Sequence, residues 1–182
     1  MDDRGGVCLY THNRKKYFLQ VFLLGAACQL IYFIAEGSLY LGILITFSLS
    51  ILTVYAADEI RKVPSPGTLL SLVCVLFLDL LLSVFLPDLF PQSGLCVDYG
   101  IFGILLPVCI YLGKDHPQKL LFCGIDLCLI SLTLSSVQWW SLLTLIPLAL
   151  YNGKRGKYRM KLLFYIYYPL HLAVIYLISL IM

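Results

Sequence analysis

Charge is what this chain has least of. Only 13% of its 182 residues are Asp, Glu, Lys or Arg, where a soluble domain carries roughly 25%, so an ordinary water-soluble globule is excluded. No Lys or Arg interrupts the long apolar stretches. The seven cysteines form neither a CxxC pair nor a Cys/His ligand spacing, so no metal site is expected and disulfides are not; most read as small apolar packing residues. There is no glycine-rich phosphate loop, no Ser-His-Asp order and no inverted repeat of the kind that marks secondary transporters. The first 16 residues lack the apolar core of a signal peptide. The net charge of +3 gives no ground for nucleic-acid binding.

What remains is apolar: 60% of the residues, with a mean hydropathy of +0.90. All thirteen Lys and Arg fall in four clusters: Arg4 with Arg14, Lys15 and Lys16; Arg61 with Lys62; Lys114 with Lys119; and Lys154, Arg155, Lys157, Arg159 and Lys161. Cytoplasmic loops keep cations and translocated loops lose them, so an even number of crossings separates successive clusters. Helices are the expected spanning form, because lipid offers no partner to an open backbone.

The expected fold is therefore an all-α, polytopic transmembrane bundle in a single integral domain of about seven spans, at 16–35, 39–57, 68–86, 99–113, 119–135, 137–151 and 162–181. The amino terminus falls inside and the carboxyl terminus outside. The pair 119–135 and 137–151 reads equally well as two short spans or as a re-entrant hairpin, since both arrangements return the chain to one face.

Polar groups inside lipid are costly and point to function unless paired. Asp79 and Asp126 fall within apolar runs, with protonated helix–helix contacts as the competing reading. His171 lies ten residues past Lys161, roughly 15 Å along a helix and so near the midplane. A neutral imidazole is a base suited to acyl transfer, and Pro169 frees a backbone carbonyl beside it; packing against a neighbouring helix competes with that role. Asp98 before Tyr99 reads as an N-cap. The basic loop at 152–157 suits the phosphates of an acyl-coenzyme A donor, and topology with attraction to anionic lipid explains the same residues.

Three blocks carry a family resemblance: Thr11-His12-Asn13-Arg14-Lys15-Lys16-Tyr17; Asp98-Tyr99-Gly100-Ile101-Phe102; and Leu150-Tyr151-Asn152-Gly153-Lys154-Arg155-Gly156 followed by Tyr167-Tyr168-Pro169-Leu170-His171. In this order and spacing the chain resembles the TraX family. The resemblance implies a bacterial inner-membrane protein akin to the conjugative pilin acetylase, using acyl-coenzyme A and acting on an amine or hydroxyl, with a small membrane protein such as a pilin as partner. It implies His171 and Asp98 as catalytic positions, and Asn152, Lys154 and Arg155 as donor-binding ones. It also implies two leading apolar segments with an Asp-His pair ahead of the first block, and an arginine where Gln20 stands. The sequence opens at that block, so the expectation is a truncated gene, a misassigned start or a pair that is not needed, and an inactive chain if the Asp-His pair is the catalytic dyad. A non-enzymatic assembly component is the alternative from a different class, and a proton-coupled transporter through Asp79, Asp126 and His171 ranks third.

Overall fold

The computed structural model describes residues 13–37 and 39–151, and beyond them residues 163, 166, 167, 170, 171, 174, 177 and 178. The chain divides into two units, Met1–Leu150 and Tyr151–Met182, and each is taken by itself.

In the first unit, helix α1 spans Arg14–Glu36; the Asn13 side chain accepts the Lys16 amide at its start, and Gly37, in the left-handed region at φ 68°, closes it. The strand β1, Tyr40–Leu41, leads into α2, Ile43–Lys62. Next comes α3, Pro66–Leu80, opened by a reciprocal Ser65–Thr68 capping box with proline in its first turn. A π-helical segment, Leu81–Phe85, carries α3 into α4, Leu86–Leu89. After a 3₁₀ turn at Pro91–Ser93 come β2, Cys96–Val97, α5, Gly100–Leu112, and α6, His116–Thr133. A 3₁₀ helix, Ser136–Thr144, and the short α7, Leu145–Ala149, complete the unit.

Among the described residues, three helical stretches are long and apolar enough to cross a membrane: Arg14–Ile34, Ile43–Lys62 and Pro66–Leu89; Gly100–Leu112 is apolar but shorter. The all-helical expectation holds apart from β1 and β2, which pair in parallel with Tyr40 opposite Cys96 and Leu41 opposite Val97. The segment expected to span 39–57 thus begins as a strand. Its helix runs on to Lys62 because hydropathy, which falls at Asp58, does not end a helix: Asp, Glu and Arg continue it. The 137–151 segment forms no continuous α-helix. The Ser141 and Thr144 hydroxyls bond carbonyls three residues back, at 2.6 Å each, and the turn tightens to 3₁₀ geometry packed on α6.

Helix α2 is the hub, contacting α1, α3 and α5, while α5 passes the contact on to α6. Val54 and Ala57 of α2 meet Val108 and Tyr111 of α5, and Leu49 meets Val97 and Ile104. Polarity is inverted relative to a soluble protein. Thr46, Ser48, Ser50, Thr53, Asp79, Asp126 and Ser131 are buried, while Ile34 is 75% and Leu132 70% exposed. A lipid-facing exterior around a hydroxyl-lined interior accounts for that inversion. The Ser50 hydroxyl, 2.8 Å from the Ile104 carbonyl, draws α2 onto α5.

The ends of the bundle also differ. Arg14 opens α1, Arg61 and Lys62 end α2, and Lys114 precedes α6; the connections at the other end carry Glu36, Asp88 and Asp98. In the second unit the described residues after Tyr151 are helical.

Candidate functional site

Asp98 lies where three elements meet. The β1–β2 pairing is extended by the Asp98 amide, which donates to the Leu41 carbonyl at 2.9 Å. The Thr46 hydroxyl on α2 donates to the Asp98 carbonyl at 3.0 Å, and the Tyr40 hydroxyl donates to the carboxylate Oδ1 at 2.8 Å. Asp98 is not the N-cap that its place before Tyr99 implies. The cap is Tyr99, at φ 60° and ψ 8°, with no side-chain cap bond. A left-handed tyrosine is uncommon and is held only where its surroundings enforce it. Gly100 follows at φ 57°. One turn into α5, a Cβ on Gly103 would lie 2.5 Å from the Tyr99 Cβ and 3.2 Å from the Asp98 carbonyl oxygen. The whole block is therefore shaped around its backbone, with the carboxylate as its fixed polar tip.

Burial raises the Asp98 carboxyl above its ordinary range, against the opposing hydrogen bonds from Tyr40 and the Tyr99 backbone. Burial and the neighbouring Asp98 likewise raise the Tyr40 hydroxyl. For an acid whose folded-state value is raised, the folded chain holds the proton to higher pH than the unfolded chain does. Its stability contribution is complete below the ordinary carboxylate range and declines as pH climbs through the raised value. Asp98→Asn is expected to flatten this acid-side slope of unfolding free energy against pH. Tyr40→Phe, which strips a hydrogen bond from a carboxylate, is expected to cost about 1.5–3 kcal/mol near neutral pH and to steepen the slope. A flat wild-type profile would contradict both expectations.

Asp79 is fully buried. Its Oδ2 lies 2.6 Å from the Thr53 hydroxyl of α2, and its Oδ1 has no hydrogen-bond partner among the described residues. The π-helical segment begins two residues later, and Ser83 within it donates to the Asp79 carbonyl at 2.6 Å. π-Bulges concentrate at functional sites, and this one lies beside a buried carboxylate. Asp126, on α6, is 4% exposed and its Oδ2 likewise has no hydrogen-bond partner among the described residues. No hydrogen bond or ion pair joins Asp79, Asp98 and Asp126 to one another among the described residues. Removing the Thr53 hydroxyl in Thr53→Val leaves a buried carboxyl without its partner, for an expected cost of about 1–3 kcal/mol in unfolding measurements.

His171 belongs to the second unit. Its Nδ1 lies 3.1 Å from the Tyr167 carbonyl, and its ring stacks on that of Tyr167 at 5.2 Å between centroids. A carbonyl can only accept, so Nδ1 carries the hydrogen and Nε2 is the basic nitrogen of the neutral ring. Asn152, Lys154, Arg155 and Pro169 lie outside the described residues.

Sequence spacing did not reveal Tyr40, Thr46 or Thr53, because each acts on a residue far along the chain. The hydroxyl-rich face of α2, with Thr46, Ser50 and Thr53 at helical spacing, was the available signal. Asp58 also escaped notice. It is 7% exposed yet bonded to Arg14 and Lys62.

A family model described as TraX protein matches residues 6–179. No curated protein and no solved structure matches the chain.

Proposed function

The chain belongs to the TraX family, and from that premise we propose that it is an integral membrane acyltransferase. It transfers an acetyl or other acyl group from acyl-coenzyme A to an amine or hydroxyl, with His171 as general base; Asp98, in the first unit, is a second candidate catalytic position. The observation that supports this reading is the Asp98–Tyr99–Gly100 turn, a strained backbone anchored by Thr46 at the Asp98 carbonyl, whose partly buried carboxylate accepts the Tyr40 hydroxyl. Strain and fixed polar groups of this kind gather where geometry matters to function.

In this reading seven segments cross a bacterial inner membrane, with the amino terminus in the cytoplasm and the carboxyl terminus outside. Asn152, Lys154 and Arg155 face the donor from the cytoplasm. A small membrane protein such as a pilin supplies the acceptor.

The test is incubation of the purified full chain with radiolabelled acetyl-coenzyme A and amine- or hydroxyl-bearing acceptors, followed by mass spectrometry of the acceptors. Label on an acceptor supports transfer. A stable membrane partner that never gains an acyl mark would instead favour a non-enzymatic assembly component.

A further inference from the structure

The cations that set topology in a membrane protein ordinarily project into water as mobile charges. Two of them here do not. The Arg14 guanidinium lies over the Tyr55 ring and that of Arg61 over the Tyr111 ring, each 5.2 Å from the centroid. Between them sits Asp58. Its Oδ2 is 2.7 Å from Arg14 Nη2 and 2.6 Å from Lys62 Nζ, and its Oδ1 accepts the Tyr111 hydroxyl at 3.1 Å. The first turn of α1, the last turns of α2 and the end of α5 are thereby pinned at one end of the bundle.

This cluster carries more cation than it needs for its own cohesion. Asp58 is shared between Arg14 and Lys62, and Arg61 forms no ion pair among the described residues. Glu59, on the same turn, is exposed and forms none either. A staple holding α1 to α2 requires Arg14 and Asp58; the Arg61 guanidinium, laid on Tyr111, neutralises no carboxylate in it. Lys15, Lys16 and Lys114 add positive charge at the same end. Planar guanidiniums held on aromatic faces have already lost rotamer freedom, and their paired N–H groups match the oxygens of a phosphate.

We propose that this end of the bundle is a phosphate-binding site, with Arg14 and Arg61 as its oriented guanidiniums and Lys62 as supporting charge. Its ligand is a phosphate ester, carried either by a soluble nucleotide-type cofactor or by an anionic lipid headgroup. The proposal concerns binding alone and stands whether or not an acyl group is transferred.

Two measurements on the full chain separate the sources. In nanodiscs of phosphatidylcholine, coenzyme A and inorganic pyrophosphate are titrated by calorimetry. In nanodiscs of mixed phosphatidylcholine and phosphatidylglycerol, retained phosphatidylglycerol is counted by native mass spectrometry. The soluble source predicts binding in the first, and the lipid source predicts retention in the second. In either case Arg61→Ala is expected to weaken the interaction about tenfold or more, and Lys16→Ala less than about twofold, since only Arg61 is mounted to form paired bonds. Arg61 is exposed and holds no carboxylate among the described residues, so its removal costs only its contact with Tyr111, and melting temperatures of both variants are measured so that binding is compared between folded chains. Arg61→Lys, keeping charge without the fork, is expected to fall between Arg61→Ala and wild type. The absence of both kinds of binding overturns the proposal, and so does equal weakening in Arg61→Ala and Lys16→Ala.

Discussion

In His171→Ala, acetyl transfer from acetyl-coenzyme A is expected to fall by about 10²–10⁴, the contribution of a positioned general base. The expectation follows from how the ring is held. The Tyr167 carbonyl takes the Nδ1 hydrogen, which fixes the tautomer, and stacking on the Tyr167 ring restrains the plane. In the proposed reaction Nε2 is the nitrogen that would accept a proton from an attacking amine or hydroxyl. Tyr167→Ala removes the stacked ring and keeps the backbone carbonyl, so a smaller loss is expected from it. Equal initial rates in wild type and His171→Ala would remove the imidazole from the chemistry.

The largest loss of stability is expected from Gly103→Ala, at about 2–3 kcal/mol, the usual cost of forcing atoms into a filled site. The added methyl would meet the Tyr99 Cβ at 2.5 Å, with the Asp98 carbonyl oxygen and Thr46 Cγ2 at 3.2 and 3.4 Å. None of the three can retreat cheaply. The Gly103 amide already bonds the Tyr99 carbonyl at 3.1 Å, and Thr46 is bonded to Asp98. Gly124→Ala is the matched comparison, because its methyl would meet only Leu145 Cδ1 at 3.4 Å and is expected to change stability by less than about 1 kcal/mol. Equilibrium unfolding in mixed micelles reads both variants, and equal stabilities would show that the turn yields where close packing is described.

Charge pattern makes one end of the bundle legible in the sequence. Runs without Lys or Arg had to separate the clusters, and Arg14, Arg61 and Lys62 do converge around Asp58. The same pattern hid Asp58, since a charged residue after an apolar run reads as loop, whereas here it is the buried centre of the cluster. Tyr40 and Asp98 lie 58 residues apart, and their meeting depends on a two-residue parallel ladder that no periodicity announces. Tyr99 stands in a backbone region that sequence reasoning reserves for glycine, so Asp98 was read as an ordinary cap. The 137–151 segment shows the limit of hydropathy from another side: its apolar content was right, but hydroxyls tightening its turns decided its geometry.

The two ends of the first unit are expected to face opposite sides of a membrane, so that the proposed phosphate site and the Asp98 turn see different compartments. Single-cysteine labelling with an impermeant maleimide tests this most directly, using Lys114→Cys and Asp88→Cys in a background with the native cysteines replaced; both positions are exposed. Asp88→Cys should react in intact spheroplasts and Lys114→Cys only in inverted vesicles. Reaction of both from the same side would contradict the account.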